Sequence, residues 1–291
     1  MCRSVTPISV IVPAFNSEAT LRECLDALLG QDYPANQYEV IIVDNNSTDS
    51  SAEIVRGYQR VTLLRELKRG SYAARNRGLR EAGSDIIAFT DSDCVARPDW
   101  LSQIDRATRN PRTQVLQGRV EPGGRSRAIR LLGAYEHHKD QYVFSRRMPQ
   151  KYYGHTNNLA VRREVFVTLG PFVERERGAD AIFMQHAVDR FGCEGVRYEP
   201  RMCVKHLEIK STLAYFRKMY TYGRARHLGN RIVTVKALTM ADRINVFREM
   251  MRSERLSAIN GGILMTLLIV GAGCWYSGEF SARADRKYAR R

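Results

Sequence analysis

The 291-residue chain is 44% hydrophobic and 26% charged, the balance of a folded globular protein, which excludes disorder or low complexity as its main state. Forty-six lysines and arginines against 31 acids leave a net charge of +15, so an anionic partner is expected: nucleic acid, an acidic membrane surface or a phosphorylated substrate. Six scattered cysteines form no C-x-x-C pair, which excludes a dense disulfide scaffold, argues against a zinc finger and fits a reducing compartment.

Ile8-Ser-Val-Ile-Val12 is a short β-rich run closed by Pro13, too short for a signal peptide and without a small-residue cleavage site after it. Asn16 or Ser17 is placed to cap a helix whose Leu21, Leu25 and Leu28 share one face. Tyr38–Val43 is predicted as a second buried strand, Ser50–Tyr58 as a helix, Val61–Leu64 as a third strand and Ala73–Ala82 as a third helix. Asp85–Thr90 follows as another strand. Strands separated by helices predict an α/β fold with a mostly parallel sheet covered on both faces.

Past Trp100 the pattern loosens. Val115–Val120 has strand character, residues 123–127 form a basic loop, and Tyr152–Val161 mixes polar and strand-forming residues. The charged loop Glu174–Gly178 precedes a helical stretch to Arg190. From Ser211 the chain is helical and basic, with Arg217, Lys218, Arg224, Arg226 and Arg231. Met240, Ile244, Phe247 and Met251 then recur at helical spacing, with Arg243, Arg248, Arg252 and Arg255 on other faces. Such a basic amphipathic helix either lies on an anionic membrane or packs on the domain. Leu256–Tyr276 carries no charge over roughly 20 residues, the length that spans a bilayer. It is predicted as a transmembrane helix, with a buried core helix as the rival, and Gly261-Gly262 and Gly271-Ala-Gly273 are its candidate close-packing residues. Both flanks are basic, so charge alone does not orient it.

The strongest chemical signal is Asp91-Ser-Asp93, directly after a strand. Two carboxylates at that spacing can share a divalent cation whose other positions take diphosphate oxygens. The end of an open-sheet strand is also where ligands bind in α/β folds. Asp44 ends the second strand and can accept hydrogen bonds from a base or ribose, and Ser47 and Asp49 can cap the helix after it. Pro13-Ala-Phe-Asn16 ends the first strand. The basic loop Lys68-Arg-Gly-Ser running into a helix that carries Arg75 suits a phosphate.

Together with Gln31-Asp-Tyr-Pro34, Ala74-Arg-Asn76 followed by Gly78, and Phe89-Thr-Asp-Ser-Asp93 followed by Pro98-Asp-Trp-Leu101, these segments resemble the family 2 glycosyltransferases of GT-A fold over about residues 6–225. The resemblance implies that Pro13, Phe15 and Asp44 line the nucleobase site and that Arg75 meets base or diphosphate. It implies that Asp91 touches ribose or the metal's water, and that Asp93, with Asp91 and His206, belongs to a Mn²⁺ or Mg²⁺ site. Gly154–Arg163, with Asn157 and Asn158, resembles the acceptor-side segment, Asp180 matches the catalytic base, and Arg224 is a possible diphosphate contact. Where relatives carry Gly-Glu-Asp-x-Asp this chain reads Gly178-Ala-Asp-Ala-Ile182, so Ala179 and Ile182 replace the flanking acids.

The expected organisation is a catalytic domain at 1–210, basic helices at 211–255, the apolar helix at 256–276 and a basic tail at 277–291. The expected activity is inverting transfer from a nucleotide sugar, a UDP-sugar first, to a lipid-linked or polysaccharide acceptor at the cytoplasmic face of the inner membrane. The alternative is an inactive, membrane-tethered nucleotide-sugar-binding module. No helix-turn-helix, zinc or stacking motif supports nucleic-acid binding. The first strand lacks the G-x-G-x-x-G of a dinucleotide oxidoreductase.

Overall fold

The computed structural model describes residues 5–175, 177–229 and 235–288; Arg231 and the end of the basic tail, Arg290 and Arg291, lie outside these. The chain divides into two compact units, Met1–Val120 with Tyr152–His206, and Glu121–Lys151 with Leu207–Arg291. The segment 121–151, read in the sequence within a 1–210 domain, groups with the C-terminal helices.

The first unit is built on β1 (Ile8–Ala14), α1 (Leu21–Leu29), β2 (Tyr38–Asp44), α2 (Ser51–Arg56), β3 (Val61–Arg65), α3 (Ser71–Glu81) and β4 (Ile86–Thr90). After these come β5 (Cys94–Ala96), α4 (Trp100–Thr108) and β6 (Val115–Pro122). Beyond α5 (Arg127–Ser145), which belongs to the second unit, the first unit closes with β7 (Asn158–Arg162), α6 (Arg163–Leu169), α7 (Ala179–Gly195) and β8 (Val196–His206). The eight strands form one sheet in the order β3-β2-β1-β4-β7-β6-β8-β5. Pairing is parallel from β3 to β4 and antiparallel at β4–β7, β7–β6 and β8–β5. All seven residues of β1 are buried, because a central parallel strand is covered on both faces.

Two local features aim the strand ends. Gly78 lets α3 lie directly on β1: a Cβ there would come 2.5 Å from Ile11 Cγ2. Neither Asn16 nor Ser17 caps α1, whose N-cap is Thr20. Asn16 instead adopts a left-handed φ of 48°, and its side-chain carbonyl accepts the Thr48 N–H at 2.8 Å. The Ser17 hydroxyl lies 2.7 Å from that of Ser92. Both residues stitch the loop after β1 to its neighbours, which is a different use of the same polar side chains.

The second unit packs α5 with α8 (Thr212–Gly229), α9 (Met240–Ser253) and α10 (Ala258–Tyr288). In α9 the buried residues are Asp242, Val246 and Met250. The expected apolar stripe is therefore divided: Met240 and Ile244 are exposed, Phe247 packs on the core, and Met251 lies against Gly261. Of the expected close-packing glycines, Gly261 lies against α9 and Gly271 against α8, but the tightest approaches fall elsewhere. A Cβ on Gly223 would come 1.9 Å from the Trp275 carbonyl oxygen, and one on Gly278 2.1 Å from that of Tyr220, whereas Gly262 and Gly273 face open space. Within α10, Ala258–Arg283 is long and apolar enough, by length and composition, to cross a membrane.

Thr239 and Asp242 form a capping box at the start of α9, and Lys151 Nζ lies 2.5 Å from Asp242 Oδ2. Burial opposes the charge on Asp242, but the Lys151 ammonium and the Thr239 donors outweigh it and bring its pKa down from 3.8 to about 2. A depressed carboxylate pKa stabilises the fold above the unfolded value and loses that contribution as pH falls. The expectation is a loss of about 2 kcal/mol between pH 4 and pH 2, absent in Asp242→Asn and measured by denaturant unfolding at each pH.

Candidate active site

The C-terminal ends of β1, β2 and β4 lie side by side, with Ala14 in register with Asp44. Phe15 leaves β1 with its ring 53% exposed, while Pro13 stays buried in the strand. Asp44 is buried at the end of β2, and its Oδ1 accepts the Ser47 N–H at 3.1 Å. Asp49 accepts the Ser51 N–H at 3.0 Å, so the helix after β2 does take an acidic partner, whereas Ser47 uses its hydroxyl to accept the Asn16 N–H at 3.1 Å.

Arg75, on α3, is only 3% exposed and forms an ion pair with Asp91. Its guanidinium also sits over the Tyr72 ring, 5.5 Å from the centroid. The residue beside it does something else. Asn76 donates from its amide to the Phe172 carbonyl at 2.8 Å and to Glu174 at 3.1 Å, and accepts the Phe172 N–H at 3.0 Å. Adjacent positions of α3 thus serve the rim and the loop that leads into α7.

Asp93 and His206 come together from distant parts of the chain, Oδ2 to Nδ1 at 3.3 Å, because β5 pairs with the end of β8 and puts Cys94 opposite His206. Asp93, Cys94 and His206 have ligand atoms within 4.8 Å of one another. Burial, reinforced by Asp91 and Asp93, pushes the Cys94 thiol well up, and the carboxylate and the imidazole are the donors a hard cation prefers. An oxygen and nitrogen set of this kind fits Mn²⁺ or Mg²⁺. Asp91 is not in this group; it faces Arg75 instead.

Asp180 sits half-buried in the first turn of α7, after Gly178 in the left-handed region. Its backbone N–H donates to the Tyr72 hydroxyl at 3.4 Å, and its Oδ1 accepts the Ala181 N–H at 2.9 Å. Ala179 and Ile182, which stand where acids were expected, are buried in the apolar packing. Tyr72 therefore touches both Asp180 and Arg75, and Arg75 touches Asp91. Sequence reasoning missed Tyr72, whose only signal is its place one helical turn before Arg75, and met Asn76 only inside the Ala74-Arg-Asn76 motif, with no role assigned to it.

Asn158 is not an exposed acceptor-side group. It is fully buried, its Oδ1 accepts the Trp100 indole N–H at 2.9 Å, and its amide donates to the carbonyls of Arg119 at 2.7 Å and Met202 at 2.9 Å. Gly118 makes room for it, since a Cβ there would come 2.3 Å from Asn158 Nδ2. Asn157, by contrast, has a buried Oδ1 with no hydrogen-bond partner among the described residues. Arg224 belongs to the second unit, where its guanidinium donates to the Ser281 hydroxyl at 2.9 Å.

A sheet that is parallel on one side and antiparallel on the other, with acids at the ends of its parallel strands, defines an α/β protein of GT-A type. The model for glycosyl transferase family 2 matches residues 9–170, more than half of the chain, and the chain belongs to that family. It is 32% identical over 191 residues to the glycosyltransferase AglE of Haloferax volcanii, covering 62% of this chain and 61% of that one. The chain spans less than two thirds of the length of the curated relatives it matches first. The mannosyltransferase PcManGT from Pyrobaculum calidifontis, solved with GDP-Man and Mn²⁺, aligns with a TM-score of 0.57 at 22% identity, covering 99% of this chain and 80% of that one. S. aureus TarS 1-349 in complex with UDP-GlcNAc aligns at 0.55 and 16% identity, covering 96% and 92%. At these identities the structures share the fold.

Burial pushes the Asp180 carboxyl above its ordinary value, against the Tyr72 hydroxyl, the Ala181 N–H and Arg75. In a ¹³C NMR titration Asp180 should therefore titrate above 3.8, and Tyr72→Phe, which removes a hydrogen bond to the charged form, should raise it further. A value unmoved by Tyr72→Phe would mean that the hydroxyl does not hold the carboxylate.

Proposed function

We propose that this chain is an inverting, metal-dependent glycosyltransferase. It takes a sugar from a nucleoside-diphosphate sugar, a UDP-sugar first, and places it on a lipid-linked or polysaccharide acceptor at the cytoplasmic face of the inner membrane. The observation that carries this reading is the chain of contacts Asp180–Tyr72–Arg75–Asp91, which ties a candidate base to the acidic strand end beside it. The GDP-Man and Mn²⁺ bound by PcManGT and the UDP-GlcNAc bound by TarS support a donor and a cation of the same kinds.

Phe15 and Asp44 hold the nucleobase at the ends of β1 and β2, with Pro13 fixing the strand end beneath them. Asp93 and His206 hold the Mn²⁺ or Mg²⁺, with Asp91 beside them on Arg75. When bound, the cation supplies positive charge that neutralises the nucleoside diphosphate as it leaves. Asp180, as carboxylate, takes the acceptor hydroxyl's proton while that oxygen bonds to the anomeric carbon and the bond to the diphosphate breaks. One displacement inverts the anomeric centre. Asn157 lies on the acceptor side. Its raised pKa makes Asp180 a stronger base than an ordinary aspartate, without the flanking acids that Ala179 and Ile182 replace.

The test is nucleotide release by the purified full chain in detergent, with a panel of UDP- and GDP-sugars and Mn²⁺. The expected result is release from one donor, abolished by EDTA and restored by Mn²⁺ or Mg²⁺. Asp93→Asn should lose both turnover and nucleotide affinity. Asp180→Asn should keep nucleotide affinity while turnover drops by about 10² or more, the scale of general-base catalysis. EDTA-resistant turnover contradicts the metal. Nucleotide binding with no turnover on any donor makes the chain the inactive binding module.

A further inference from the structure

In the second unit the apolar helix α10 presents two unlike faces. One face of α10 is spent inside the unit: Leu264 packs with Leu131, Tyr135, Val246 and Met250, and Leu268 joins the neighbouring cluster around Ile129 and Tyr215. Gly271 lies against Tyr215, Phe216 and Met219 of α8, and Gly278 admits the Tyr220 carbonyl. Polar ties hold both ends of this face. The Arg127 guanidinium donates to Asn260 Oδ1 at 2.5 Å, and that of Arg224 donates to Ser281 at 2.9 Å.

The opposite face is apolar and bare. Ile259, Met265, Ile269, Val270, Tyr276 and Phe280 are all exposed, and their spacing places them on one side of a 3.6-residue helix, away from Leu264, Gly271 and Gly278. No charged residue falls between Leu256 and Gly278. Arg283 closes the stripe at one end, and α9 in the same unit exposes Arg243, Arg248 and Arg252 along with Met240 and Ile244.

A helix that crossed the bilayer along its axis would take its packed neighbours with it. Tyr215, Phe216 and Met219 meet α10 midway along the uncharged stretch, and the exposed Arg217 and half-buried Lys218 lie between them in α8. The Tyr215 hydroxyl in turn donates to Glu136 of α5 at 2.8 Å. Arginine, lysine and glutamate are among the costliest side chains to hold at mid-bilayer. Laid flat, the same helix sinks its bare stripe past the headgroups while α5 and α8 stay above it.

We infer that α10 is an in-plane anchor: its stripe from Ile259 to Phe280, with the exposed arginines of α9, binds the surface of an anionic bilayer without crossing it. The inference concerns how the chain sits on lipid and stands whether or not the transfer reaction is as proposed above.

The test is probe depth in the full chain. With Cys2, Cys193 and Cys274 replaced by alanine, Ile259→Cys, Ile269→Cys and Phe280→Cys are each labelled with NBD. Each is bound to phosphatidylcholine–phosphatidylglycerol vesicles that carry quenchers in the headgroup or deep in the acyl chain. An in-plane helix gives three probes at one shallow depth, and binding at least tenfold weaker to pure phosphatidylcholine. Deep quenching at Ile269→Cys with shallow quenching at the other two means a spanning helix and overturns the inference. So does equal affinity for both vesicles, or the absence of quenching with a sedimenting dimer, which would give the stripe to a second copy of the chain.

Discussion

The site depends on one buried charge. Arg75 has almost no exposed surface, and a guanidinium in that position is tolerable only with an acid against it. Removing one partner of such a pair typically costs about 3–5 kcal/mol. Asp91 is that partner, so the start of the Asp91-Ser-Asp93 turn is held where α3 puts the arginine. The height of α3 is set in turn by Gly78 on β1. The Tyr72 ring under the same guanidinium extends the constraint to Asp180.

The neighbours of each paired residue are used in another direction, and this is what makes short motifs informative here. Asn76 fastens the turn at Phe172 while Arg75 faces the rim. Ser92 meets Ser17 from the loop after β1, while Asp91 and Asp93 diverge to Arg75 and His206. The change from parallel to antiparallel pairing at β4 brings the late strands into the same sheet. Through β8 and β5 that change delivers His206 to Asp93, two residues 113 positions apart.

The parallel half was legible because its strands are continuous apolar runs and its helices have clean spacing. The strand β5 has three residues at a sheet edge, too few for periodicity to act on. The strand β8 is charged and only partly buried over its first half, which hides its alternation, and α5 carries Glu-His-His-Lys-Asp in its middle. Among site residues, Asp91 and Asp93 stood out as paired carboxylates at a strand end, and Arg75 and Asp180 through the family motifs they match. Asn158 did not separate from Asn157 in the sequence. A fully buried amide spanning three strands and its half-buried neighbour look identical until Gly118 is seen to make room for one of them.

The central claim is that the buried Arg75, through its ion pair with Asp91 and its stacking on Tyr72, organises the nucleotide-binding rim. Calorimetric binding of UDP with Mn²⁺ to Arg75→Lys tests it most directly, because lysine keeps the charge but loses the planar fork and the ring contact. Affinity at least tenfold weaker than that of the unaltered chain, with the unfolded fraction unchanged, is the predicted result; unaltered affinity would contradict it.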